Sequence, residues 1–374
     1  MKRARSHSVI AIVLLATVLA LDGLSRLDQA AVERVYSRAV YPRIAALLGG
    51  LTGWLPLSVA EWLLVGAVVA LPFGLPALNR RLRDPGTPLL RRLGGLLWDG
   101  LAVGAAVYGA FLLLWGINYR RLPLAAIAGL DVKPVAIAEL QSLCGELVLE
   151  SNRLRMGVAE DENGVMRLEQ GRAEVLSRTT EGFARAREAR EPIAVATSAP
   201  KPVFFSTALS YLGITGMYVP FTGEANVNVS VPDPDLPFSA SHELAHAQGF
   251  AREDEANYLG YLACRMHPDP EFRYSGALAA SLYASAALAA VDRDAYLALE
   301  SRRSGTVRRD IAALTAWSDR YRGPFSRASQ AVNNAYLRSQ GQIEGVRSYG
   351  RMVDLLLAER RRAKIHRRDP HDSP

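Results

Sequence analysis

The chain has 374 residues, 49% hydrophobic and 22% charged, with a net charge of +7 and only two cysteines. That length predicts two or three structural units, and so few cysteines exclude a disulfide-rich scaffold. The apolar residues concentrate before residue 117, which separates a membrane-type region, 1–117, from an outer region that begins at 118.

Three stretches read as membrane spans. The first, SVIAIVLLATVLAL at residues 8–21, follows a basic start at Lys2, Arg3 and Arg5. A signal peptide is its rival reading, with Val18 and Ala20 at the cleavage position. Residues 57–78 contain Glu61 as their one charge, and residues 93–117 contain Asp99. Each of these two is long enough to cross a hydrocarbon layer of about 30 Å. The connector between them carries Arg80, Arg81, Arg83, Arg91 and Arg92. Short arginine-rich loops stay in the cytoplasm, so everything after the third span is expected outside, on a multi-pass anchor in the cytoplasmic membrane. That placement, with no nucleic-acid motif, leaves lipid and peptide as the expected partners.

Residues 118–133 read as a proline-containing linker. Helical periodicity covers 135–156 and 172–190. In residues 224–231, Val227, Val229 and Val231 alternate with Asn226, Asn228 and Ser230, as in a strand. Such a strand could pair with an extended substrate if it lies at an edge. Prolines 232, 234 and 237 end it, and a helix is expected to begin near Ser239 or Ser241, either of which can cap. A second helix follows Gly249 and runs through Cys264. Further helices are expected at 272–291, 293–319 and 325–362. Residues 275–291 carry no charge, but alanine and serine contribute little transfer energy, so a buried helix is favoured over a fourth span. Cys144 and Cys264 leave pairing open. The run RRRAKIHRR lies in a tail, 359–374, expected to be solvated and suited to anionic headgroups or wall polymers. The whole reads as an α-helical anchor of about three spans plus a mostly helical α+β domain, 118–358.

His242, Glu243 and His246 form H-E-x-x-H in a chain with six histidines. On a helix, positions four apart share a face, so both imidazoles can reach one ion. Glu243 is rotated toward the open side, where it can take a proton from metal-bound water. One zinc ion suits two imidazoles and a carboxylate, with a fourth position for water. Gly249 can reverse the chain, which makes Glu253, Asp254 and Glu255 candidates for the third ligand. Glu253 is favoured, because it would place Asn257 where it can hold a ligand histidine N–H. Glu255 is the alternative, although it shares a face with Leu259 and Leu262.

His242, Glu243 and His246 followed by E-x-x-A-N (Glu253 to Asn257) resemble the zincin metallopeptidases of the gluzincin type. The arrangement looks most like a bacterial membrane family known as domain of unknown function 3810. PFTGEANVN, PFSASHELAHAQGFAREDEANYLGYL and YLRSQGQIEGVRSYGRMVDLL carry that resemblance, which with the spans covers most of the chain. It implies a zincin-like domain with a zinc site. Two departures stand out: the gap from His246 to Glu253 is short, as in metzincins, yet position 252 is Arg; and the outer residue is Asn257 rather than Asp. In peptidases of this kind Glu243 would act as base, and Tyr349, Tyr336, Arg347 and Asn334 are candidate oxyanion donors. The expected function is a membrane-anchored zinc metallopeptidase acting on the extracytoplasmic side. The alternatives are a non-catalytic metal-binding sensor or scaffold, and a hydrolase of non-peptide envelope material. Glu243 favours catalysis, because structural zinc sites fill all four positions with protein ligands.

Overall fold

The computed structural model describes residues 2–189, 198–342 and 351–368. It begins with α1 (Lys2–Ser25), α2 (Gln29–Ala31), a π-helix (Val32–Val40) and α3 (Tyr41–Thr52). Two long apolar helices follow, α4 (Val59–Arg83) and α5 (Leu89–Leu114), then a 3-10 turn (Gly116–Arg120) and α6 (Leu124–Ile127). Three of these helices are long and apolar enough to cross a membrane: α1 over Ser8–Ser25, α4 and α5, none more than 17% buried.

The three helices meet the domain at a common end. α1 lies along α5, with Val18 against Gly109. Asp22, near the end of α1, pairs with Arg120 just past α5 at 3.4 Å. α4 runs the other way, because Glu224 of the domain after residue 117 accepts from its first backbone amides, Val59 and Ala60, at 3.0 and 2.8 Å. That domain therefore sits at one end of the helices, and the arginine-rich loop 80–92 at the other. Glu61 is not a charge held in the span: its carboxylate accepts from the Phe204 and Phe205 amides at 2.8 and 2.7 Å.

Residues 118–133 are not a loose linker. Asn118, Tyr119, Arg120, Arg121 and Leu124 are all buried, since the chain turns directly from α5 under the domain. The domain continues with α7 (Ile137–Arg155), α8 (Arg172–Glu188), β1 (Lys201–Pro202), α9 (Ser206–Leu212), β2 (Gly216–Val219) and β3 (Glu224–Val227). Then come α10 (Leu236–Ala247), α11 (Glu253–Met266), α12 (Pro270–Val291), α13 (Arg293–Glu300), α14 (Gly305–Tyr321), α15 (Pro324–Ser339) and α16 (Met352–Arg368). The sheet order is β1-β3-β2, with β1 parallel and β2 antiparallel to β3. β3 is thus central, not an edge open to substrate. It stops at Val227 because Asn228 turns the chain, accepting from Ser230 N at 2.9 Å.

α10 starts earlier than expected, after Asp235, with proline in its first turn where no amide is needed. Ser239 and Ser241 are interior to it and bond back to Asp235 and Pro237. α11 lies between α8, α10 and α12. α12 packs on α7 and α11, and 56% of its apolar window is buried, so it is a core helix of the domain. The helix expected at 293–319 is broken, because Ser304 caps a new start at α14. Residues 359–368 are no loose tail: they continue α16, where Arg361 reaches Glu139 at 2.5 Å and Arg360 pairs with Glu146. Cys144 and Cys264 are both free and buried.

One buried network ties three helices. Arg155 of α7 pairs with the fully buried Asp310 of α14 at 2.7 Å. Tyr274 of α12 and the Met166 amide also donate to that carboxylate. Removing one partner leaves a buried charge, which typically costs about 3–5 kcal/mol. Asp310→Ala should therefore lower the thermal midpoint in detergent by about 10 °C, and an unchanged midpoint would contradict this role.

Candidate metal centre

Two helices and the turn between them build the site. α10 ends at Ala247, and Gly249 takes φ +84°, a left-handed conformation that side chains other than glycine's disfavour. A Cβ there would also stand 2.8 Å from the Tyr41 ring. The reversal brings the first residue of α11, Glu253, against α10. Its Oε2 lies 3.4 Å from His242 Nε2 and 3.6 Å from His246 Nε2. These three ligand atoms all fall within 4.8 Å of one another. Tetrahedral ligands at zinc distances of 2.0–2.2 Å stand about 3.4 Å apart, so the spacing fits an ion of that kind.

One of the two imidazoles, that of His246, is oriented from behind, whereas His242 Nδ1 is buried with no hydrogen-bond partner among the described residues. His246 Nδ1 lies 2.8 Å from the Phe250 carbonyl. A carbonyl only accepts, so Nδ1 carries a proton and Nε2 is the nitrogen that faces Glu253, free to bind an ion once its own proton is displaced. Trp115 Nε1, directly after α5, donates to the His246 carbonyl at 3.0 Å. Tyr41 donates to the Ala247 carbonyl at 2.8 Å and meets the Tyr218 hydroxyl at 3.1 Å. Arg121 donates to the Gly249 carbonyl at 2.9 Å. Its guanidinium stacks over the Phe250 ring and forks onto the buried Glu33 at 2.8 and 3.0 Å. Trp115, Tyr41, Arg121 and Glu33 do not stand out in the sequence, since each acts across a large separation along the chain.

Glu243 is buried beside the ligands, under β2. It takes a hydrogen bond from the Tyr218 backbone, and its Oε2 has no hydrogen-bond partner among the described residues. Gly216 makes this placement fit: a Cβ there would lie 2.5–2.8 Å from the Glu243 side chain. Burial pushes the Glu243 carboxyl above its ordinary pKa, against the pull of His242 and His246 and with help from Glu253. Burial also opposes ionisation of Glu253, but His246 and His242 outweigh it and hold that carboxyl far below the usual carboxylate range. Burial disfavours charge on His246 too; the Glu253 carboxylate overrides it and lifts the imidazole to about 9.

The remaining candidates separate. Glu255 faces away from the ligands and accepts from the Leu124 amide at 2.8 Å, so it anchors α6 rather than a metal. Asn257 is buried one turn after Glu253 and accepts from the Tyr283 hydroxyl at 3.4 Å; at His246 Nδ1 the partner is the Phe250 carbonyl. Tyr336, on α15, lies close enough to Glu253 to feel its charge and accepts from Tyr119 at 3.2 Å. Asn334 is half-buried on the same helix. Tyr349 and Arg347 lie outside the described residues.

Two imidazole nitrogens, one carboxylate oxygen and an adjacent carboxylate with an open oxygen form a donor set fit for a divalent transition metal. Residues 36–357 match the family described as protein of unknown function (DUF3810), and the chain belongs to that family. No curated protein and no solved structure matches it.

A metal must displace the proton that His246 retains up to about pH 9, whereas Glu253 is already ionised well below neutrality. Zinc affinity measured by calorimetry should therefore rise by about tenfold per pH unit between 6 and 8 for that proton, with proton release on binding. An affinity independent of pH would contradict the His246–Glu253 pairing.

Proposed function

We propose that this protein is a membrane-anchored, zinc-dependent metallopeptidase with its catalytic domain on the extracytoplasmic side. One observation carries the reading: Glu243 presents an open, buried carboxylate oxygen beside three converging ligand atoms. A site serving only to hold a metal has no use for such a group. His242, His246 and Glu253 would hold one zinc ion. Bound there, zinc supplies Lewis acidity and brings the pKa of water toward about 7.

The chain's own groups supply the rest. Glu243 takes the proton of the attacking water and passes it to the leaving amine, and its raised pKa suits a group that must also give the proton back. Tyr336, whose hydroxyl accepts from Tyr119 and lies within reach of the Glu253 charge, would donate to a developing oxyanion. β2 forms the edge of the sheet beside Glu243, so a substrate backbone can extend the sheet at residues 216–219. The outward side rests on the arginines at 80–92, at the end of the helices away from the domain.

Glu243→Gln should keep the zinc and lower cleavage of a peptide library by at least about 100-fold, while His246→Ala loses metal and activity together. Full activity in Glu243→Gln would sink the reading. A reporter fused after residue 340 should report from outside; a cytoplasmic signal would reverse the topology.

A further inference from the structure

The domain carries an exposed aromatic cluster where α4 joins it. Phe204 is 73% exposed, Phe205 47% and Trp62 46%; Trp54, 76% exposed, lies in the connector just before α4. The cluster is continuous with a span. Trp62 sits in the first turn of α4, its ring 6.1 Å from Phe204, whose ring is 5.1 Å from Phe205. The Phe204 and Phe205 amides are tied to Glu61 of that same turn. This loop therefore stands at the height where α4 enters the hydrocarbon. Exposed Trp and Phe at that height match the aromatic residues that settle at membrane–water interfaces.

The metal centre stands close to the same plane. α5 has 26 residues, about 39 Å of helix, which exceeds a hydrocarbon layer of about 30 Å. Its last turns thus reach the interface, and they touch the site. Trp115 holds the His246 carbonyl at 3.0 Å, and Phe111 lies 6.4 Å from the Tyr336 ring. Only one side chain and one hydrogen bond separate the end of a span from a ligand residue.

We propose that the domain is seated on the bilayer, with Phe204, Phe205, Trp54 and Trp62 in the headgroup–acyl boundary, and that its site serves peptide segments tethered at the membrane surface. The seat rests on the membrane reading of α1, α4 and α5; the substrate class rests also on the peptidase reading. A segment entering along β2 meets Glu243 near the lipid surface, where a membrane-tethered chain is concentrated and a freely diffusing peptide is not.

The test uses the full chain in liposomes. Phe205→Cys keeps the backbone amide that Glu61 binds, and the two native thiols are buried. A fluorophore on that cysteine should be quenched severalfold more by spin-labelled lipids than one at Met156→Cys, which is exposed at the end of α7. The quenching should report a depth of about 5–10 Å into the boundary, and Phe204→Cys should repeat it. Equal quenching at both sites would overturn the seat, as would a blue-shifted but unquenched label, which would mean that protein covers the loop. The zinc-loaded protein is then given one peptide library, free or acyl-anchored to the liposomes. Anchored peptides should be cleaved at least tenfold faster at equal bulk amount, with Glu243→Gln as the chemical control. Equal rates would overturn the substrate class. Cleavage of neither would count against the peptidase reading and its substrate class together, while the quenching still decides the seat.

Discussion

The carbonyls at the end of α10 and in its turn have no helix to satisfy them, and the groups that do so fix the site. Trp115 binds the His246 carbonyl, Tyr41 that of Ala247, Arg121 that of Gly249, and the His246 ring that of Phe250. Three of the four donors come from the N-terminal third of the chain, beside or just past the apolar helices. Each bond contributes about 1 kcal/mol, and the one from Arg121 somewhat more. Together they hold the turn that sets Glu253 against His242 and His246. The apolar helices and the candidate metal centre are thus one packed unit, with Val32, Tyr36, Tyr41 and Trp115 in the same buried cluster as Tyr218 and Ala251.

Two glutamates beside the same imidazoles meet opposite fates. Glu253 touches both rings and becomes the more acidic, whereas Glu243 is held under β2, where burial dominates and its affinity for a proton rises. The difference is geometric. Glu253 has ion-pair distances to two rings, while Glu243 has one backbone donor and an open oxygen. Pushing two carboxyls apart in this way is what the proposed division between a metal ligand and a proton carrier requires. Gly216 and Gly249 allow it, one by giving Glu243 room and the other by turning the chain.

Much of this was legible in the sequence because it is local. The periodicity of 135–156 and 172–190, the H-E-x-x-H spacing and Gly249 each depend on residues within a few positions. The choice of Glu253 over Glu255 also followed from helical faces. What escaped was everything built across distance. Residues 22–56 carry no motif that marks them, yet they supply Glu33 and Tyr41. Arg121 reads as one more basic flank of a span, but it is buried between Glu33 and Gly249. The alternation in 224–231 spoke for a strand but not for its central place, which depends on partners on both sides. Asp235 displaced the serines as the start of α10 because the first turn could absorb Pro237.

The central claim is that His242, His246 and Glu253 form one metal site. X-ray absorption at the zinc edge of the loaded full-length protein tests it most directly. The account predicts two imidazole nitrogens and carboxylate or water oxygen at about 2.0–2.2 Å, with no sulfur. It also predicts a first shell changed by Glu253→Ala and untouched by Glu255→Ala. A sulfur ligand, a single imidazole, or a shell altered by Glu255→Ala instead would contradict it.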